Sequence, residues 1–358
     1  MVIHGLRRSG RSLAAGSVSL ALAAVVLSGC GIPGGRGGPR VSETWTHTYP
    51  LSKTGEVTIV NANGRIEVEG VDGDTVEVQA EKIARGATEQ IARDLLPRIP
   101  IDERATPDFV SVETRRLNGF LIGASYEVRY RVKVPRSATL RATTVNGGVW
   151  LKTMDGRVIA RTTNGGITAT DMSGAVEARS VNGGVRVQFA SLGTESVELR
   201  TVNGGVWVKT MDGRVIARTT NGGIVATEMS GAVEARSVNG GVRVQFTSLG
   251  AGSVELRTVN GGVRVALPPA AKATVSASWV NGGINLSGLQ FEVREQARRH
   301  FEGRLNGGGA NVEVATVNGG ITLSTELDKS SGPGRAWNEL TPEKPPDERE
   351  LHELHERR

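Results

Sequence analysis

Val145-Asn146-Gly147-Gly148-Val149 is the stretch whose reading decides the fold. Its Asn-Gly-Gly core returns at Asn164, Asn182, Asn203, Asn221, Asn239, Asn260, Asn281, Asn306 and Asn318. From Asn146 to Asn281 the steps are 18 or 21 residues, a period that marks a repeat architecture. A second turn signal falls midway, at Asp155-Gly156, Ser173-Gly174, Asp212-Gly213 and Ser230-Gly231. The unit is therefore about nine residues, a glycine turn followed by a short alternating run of Val, Ile and Thr. Alternation of this kind reads as strand, and glycine after Asn supplies the tight turn.

Two strands per rung predict an all-β, parallel β-solenoid, each 18–21-residue rung stacked on the last. Val149, Val158, Ile167, Val176 and Val185 are expected to point inward, with Leu151, Ala160, Ala169, Ala178 and Val187 two positions on. Because these side chains are small, the two sheets should lie close. Trp150, Lys152, Ile159, Arg161, Glu177, Arg179, Arg186 and Gln188 are expected to face solvent. Asn146, Asn164, Asn182, Asn203, Asn221, Asn239, Asn260 and Asn281 should stack as a structural turn ladder, each side chain bonding its copy on the next rung. Residues 145–201 and 202–258 differ at only six of 57 positions, so three whole rungs occur twice in tandem. A stack in which each rung touches only its neighbours accepts such a block without redesign.

With 48 glycines in 358 residues and 4% aromatics, the chain is turn-rich and β-rich. One Cys excludes an internal disulfide. The net charge of +6 includes Arg7, Arg8 and Arg11; without them 40 basic residues face 37 acidic ones, a balance that does not point to nucleic acid.

Residues 1–29 read as a signal peptide: three arginines, an apolar run over Ser12–Val26, then Leu27-Ser28-Gly29-Cys30. That ending resembles a bacterial lipobox, which implies cleavage between Gly29 and Cys30 and attachment of fatty-acyl chains such as palmitate to Cys30. Two or more such chains make a stable anchor. Gly31 lacks the acidic character that would resemble an inner-membrane retention signal, so the outer membrane or cell surface is favoured. Residues 30–40 are a flexible tether and 41–136 a β-rich cap with one helix over Thr88–Leu96, apolar at Ile91, Leu95 and Leu96 and stopped by Pro97. Residues 137–326 are the repeat region, in which Glu292–Phe301 has the look of a short helix and Asn311–Thr325 of the last rung. Residues 327–358 form a polar disordered or helical tail.

The opening strand–helix pattern with Ile91–Leu96, the run Val132-Lys133-Val134-Pro135, the Thr-Val-Asn-Gly-Gly rungs and the closing Leu305-Asn306 and Thr316–Ile321 motifs together resemble the bacterial putative-adhesin β-solenoid family. This is a domain family of unknown function found in envelope proteins, and the likeness spans about residues 50–325. It implies the solenoid fold and brings no catalytic residues. The doubled block is a departure that lengthens the stack.

Several chemistries can be weighed on the residues. A calcium β-roll needs carboxylates at the sixth repeat position, where Leu151, Ala169 and Val187 stand, so no metal is expected. No cofactor motif, nucleophile–His–acid set or catalytic residue emerges, and His4, His47, His300, His352 and His355 all lie outside the regular stack. Polysaccharide hydrolysis or lyase chemistry remains an alternative by analogy with other β-helices, and would need paired carboxylates. Binding is the sharper expectation. Arg161, Arg179, Arg200, Arg218, Arg236 and Arg257 occupy one repeat position, and Trp150 and Trp207 are expected outward, together making a face for a polyanion or acidic glycan. The interleaved Glu177, Glu198, Glu234 and Glu255 would temper that ladder. The expectation is a lipid-anchored, non-enzymatic adhesion or scaffold protein of the envelope, with a glycan or surface protein as partner and the oligomeric state open.

Overall fold

A computed structural model describes residues 38–117, 123–193 and 195–326. The signal peptide, Gly29, Cys30, most of the tether and the tail with His352 and His355 lie outside the described residues.

The described residues form a 13-stranded and a 14-stranded sheet, here called front and back, packed over one apolar core. Between Thr139 and Ala266 the chain alternates between them, one strand to the back and one to the front, all parallel to their neighbours in each sheet. Like positions meet: Val158 pairs with Val176, and Val176 with Val197. The inward residues named from the sequence are all at most 2% exposed. Alternation puts two apolar rows on each inner face, Val158 with Val176 and Ala160 with Ala178 on the back sheet and Val149 with Ile167 and Leu151 with Ala169 on the front, and small Ala and Val let the sheets close upon them.

The corners explain the triplets. A Cβ on the first glycine would run into the rung behind; at Gly165 it would lie 2.1 Å from the carbonyl oxygen of Gly147. The Asn side chain then bridges rungs. Asn164 Nδ2 donates to Asn146 Oδ1 at 2.7 Å, and Asn182 to Asn164 at 2.8 Å. The ladder is longer than expected, running from Asn63 through Asn146 to Asn260, then Asn318 and finally Asn281. Asn306 stands apart: its Nδ2 donates to the Pro269 and Ala271 carbonyls. Behind this ladder runs a buried hydroxyl row that repeat counting did not single out. Thr162 donates to the Gly147 carbonyl at 2.8 Å and Thr219 to that of Gly204 at 2.8 Å.

On four rungs the front strand bends through a non-glycine residue with positive φ, Thr153, Asp171, Thr210 or Glu228, just before a buried methionine. These left-handed residues turn the chain inward so that Met154, Met172, Met211 and Met229 fill the end of the core.

Three expectations change at the ends. The helix spans Glu89–Leu95 with Thr88 capping Ile91 N–H at 3.3 Å, but Ile91 is 39% exposed and Ala92 takes the buried place. Glu292–Phe301 is not helical: Phe291–Ala297 and His300–Leu305 are an antiparallel hairpin that extends the back sheet. Its first strand is exposed apart from Phe291, whose ring meets Phe301 edge-on at 5.4 Å, so pairing along an open edge outweighs local helix preference. The rung ending at Asn318 is last in sequence but not in space. Ala310–Asn318 and Ile321–Ser324 insert between Val254–Ala266 and Ala273–Ser287. At the other end Glu56–Asn63 and Ile66–Val71 form the first rung, and the strands beyond them form the cap.

Candidate binding faces

The six repeat arginines do form a column. Arg161, Arg179, Arg200, Arg218, Arg236 and Arg257 are register partners along the outer face of the back sheet. Each is tied to a carboxylate. Arg161 reaches Glu177 at 3.0 Å, Arg200 reaches Glu198 at 2.5 Å, and Arg218 reaches Glu234 at 2.6 Å. Arg179, Arg236 and Arg257 each lie between two glutamates, one on their own strand and one on the next. Hydrogen bonds donated by Arg161 and Arg218 hold Glu177 and Glu234 below the ordinary carboxylate range, against the opposing effect of burial. The column is thus a cross-linked charge network. Ile159 and Ile216 occupy the glutamate column on the remaining rungs, and Ile159, expected outward and wet, is covered to 6% exposure by its long neighbours.

Trp150 and Trp207 are not on that face. Their strands, Val149–Lys152 and Val206–Met211, belong to the front sheet, so the expected single face of arginines and tryptophans is divided between opposite sides of the stack. Strand parity repeats every nine residues, so the sequence pattern describes both faces alike and does not say which rows share one. Nor is Trp207 an open platform. It is 8% exposed, its ring lies over the backbone of Gly205 and Gly184, and the Arg186 guanidinium stands 5.4 Å from its centroid. Burial lowers the pKa of Arg186 below its ordinary value. Trp150, with the same local sequence, stays half-buried because its upstream neighbour in register is Glu67.

A second cluster closes the capped end. Trp45, His47 and Tyr49 on Arg40–Pro50 meet Glu103 on Ile101–Thr106, which are the outermost strands of the two sheets. His47 Nδ1 lies 2.7 Å from Glu103 Oε2, Tyr49 donates to the same oxygen, and Trp45 stacks on His47 at 4.2 Å. Burial, followed by the hydrogen bond to Glu103, raises the Tyr49 pKa. Fifty-six residues separate His47 from Glu103, so no motif spacing could have joined them. Nearby on the front face, Thr44, Arg65, Gln79, Glu81, Arg129 and Arg131 line a shallow, open depression. Its lining holds one carboxylate, Glu81, paired with Arg40 at 2.6 Å, where glycoside hydrolysis uses two facing ones. On the far hairpin Glu295, His300 and Glu302 approach within 4.8 Å, with Glu302 also 3.5 Å from Arg294.

Residues 108–324, more than half of the chain, match the family model described as Toastrack DUF4097. No curated protein gives a significant match. Among solved structures, a putative cell adhesion protein from Clostridium sporogenes ATCC 15579 is 9% identical, the match covering 78% of this chain and 98% of that one at a TM-score of 0.18. A putative adhesin from Bacteroides fragilis NCTC 9343 is 11% identical, with 78% and 96% covered and a TM-score of 0.26. A putative lipid binding protein from Parabacteroides distasonis ATCC 8503 is 11% identical, with 79% and 97% covered and a TM-score of 0.34. Likeness at this level carries no argument about activity.

Proposed function

Taking as premise that the chain belongs to the Toastrack DUF4097 family, we propose that it is a non-enzymatic, adhesin-like solenoid of the bacterial envelope, held to a membrane through acylated Cys30. The observation that carries this reading is the outer surface of the stack. Two long faces run along the stack, and on the back face the same charged side chains recur in register and are spent on one another. Such a surface suits contact with an extended partner rather than the conversion of a small substrate. The lipobox at Leu27–Cys30 supports the anchor. The alternative, a polysaccharide-processing enzyme, would need a cleft with convergent carboxylates.

Cells expressing the full chain provide the test. They should retain isolated envelope material on their surface and release no reducing ends from polysaccharide, and Cys30→Ala should move the protein out of the membrane fraction. Release of oligosaccharide would replace the adhesive reading with the enzymatic one.

A further inference from the structure

The exposed apolar side chains of the stack are gathered in one line. Six of the eight large ones exposed among the described residues are valines that precede the corner asparagines: Val181, Val202, Val238, Val259, Val280 and Val317, each 39–44% exposed. Register pairs on either side, such as Ser180 with Thr201 and Asn182 with Asn203, set Val181 level with Val202, and the same pairing continues to Val280. Upstream the column starts at half-buried Val145 and passes Thr163. In spatial order it reads Val-Thr-Val-Val-Thr-Val-Val-Val-Val, with Thr220 as the second threonine. Eight strand spacings of about 4.8 Å make it about 38 Å long. The doubled block supplies three of these nine positions, Val202, Thr220 and Val238.

Nothing in the fold demands an apolar residue here. Thr163 and Thr220 hold the same exposed place, and a β-branched alcohol suits a strand as well as Val does. A continuous exposed apolar line marks a contact surface. Its period and its borders say what covers it. The spacing is that of stacked strands, and a second copy of this chain carries the same spacing over the same length. On one side runs the arginine column, two residues back along each strand; on the other lies the neutral Asn-Gly corner. Let two copies lie side by side in parallel, about a two-fold axis along the stack. Each column residue then meets its own counterpart, Val on Val and Thr on Thr, and the arginines of one copy face the neutral corner of the other. In an antiparallel pair the arginine columns would oppose each other, and Thr163 would be buried against Val317.

We infer that the valine line is a dimer contact between two parallel copies of this chain. The band from the arginines to the corner is four residues, or about 13 Å, wide and covers about 500 Å² per copy, where a standard interface covers about 800 Å². Pairing is therefore weak in dilute solution. It is strengthened where both copies share a membrane, since parallel stacks carry both caps, and both proposed Cys30 anchors, at one end. This assembly stands apart from the adhesive reading and names no ligand for it.

The test uses the full chain in phosphatidylcholine vesicles, with oxidative cross-linking through single introduced cysteines and the wild-type chain as blank. Val181→Cys should form a disulfide-linked dimer at least about tenfold more than Gln245→Cys, exposed on the front face, because a disulfide needs Cβ atoms about 4 Å apart. In an antiparallel pair Val181 would face Val259, about 19 Å from its own copy, while Thr220→Cys at the centre would still link. Linking by Thr220→Cys without linking by Val181→Cys therefore overturns the parallel pair. Adding Val202→Lys/Val238→Lys, both at exposed positions, should cut the Val181→Cys yield about tenfold or more and leave thermal unfolding unchanged. An unchanged yield overturns the contact, as does equal linking by Gln245→Cys. So does vesicle binding by Cys30→Ala protein that Val202→Lys/Val238→Lys abolishes, because lipid would then cover the line. Failure to cross-link while cells bearing the chain still hold envelope material refutes the dimer and leaves the adhesive reading standing.

Discussion

Alanine at Gly222 and alanine at Gly223 should have very different consequences, although the two residues are adjacent and share a corner. Gly222 has φ +156°, and a Cβ there would lie 2.1 Å from the Gly204 carbonyl oxygen and 2.5 Å from its carbon. The corner would have to open against three bonds that close it. These are Gly222 N–H to the Asn239 carbonyl at 2.9 Å, Thr219 to the Gly204 carbonyl at 2.8 Å, and Asn221 to Asn203 at 2.8 Å. Overpacking costs about 1–3 kcal/mol, and each weakened bond adds up to about 1 kcal/mol, so Gly222→Ala should lose about 4 kcal/mol. For a stack of this size that corresponds to a fall in Tm of about 8–16 °C. At Gly223 the nearest atom to a Cβ is the Gly241 oxygen at 3.3 Å, a contact relieved by a small shift. The lower chain entropy of alanine in the unfolded state offsets that, leaving a change within about 1 kcal/mol. Calorimetry and urea titration should be read together, because a linear stack can unfold from its ends and alter the m-value. Equal stabilities for the two variants would refute the stacked-corner account.

Other perturbations follow the same geometry. Asn221→Ala removes two ladder bonds and Asn281→Ala, at the end of the ladder, only one; urea titration should show losses of about 2 and about 1 kcal/mol. Phe189→Ala, at 2% exposure, should cost about 3–5 kcal/mol in the same assay. Thr153→Asn should stabilise by about 0.5–1 kcal/mol in thermal unfolding, because Asn tolerates the φ of 58° better than a β-branched residue. Glu177 has a folded pKa below its ordinary 4.5, so its contribution is fully present above pH 4.5 and is lost as pH falls through the lower folded value. Glu177→Gln should therefore flatten the stability profile below pH 4.5 and leave its shape unchanged between pH 5 and 7.

The amino-acid sequence by itself determined the parts of this protein that are local and repeated. A glycine that must avoid the carbonyl behind it, an Asn beside it and an alternating run of Val and Ala are each legible within nine residues, and the stack simply multiplies them. That is why Val149, Ile167 and Leu199 are buried as the alternation requires and why Asn146 to Asn260 align. Only the tertiary structure decided what depends on neighbours distant in sequence or on the ends of the sheets. Open edges recruit any strand that can pair, so 291–305 became a hairpin and 310–324 was threaded inside the preceding rung. Identical segments acquired different surroundings, as Trp150 and Trp207 show, because one follows Glu67 in the sheet and the other Arg186. The division of arginines and tryptophans between two faces has the same origin: parity says in or out, and only the winding of the chain says on which side.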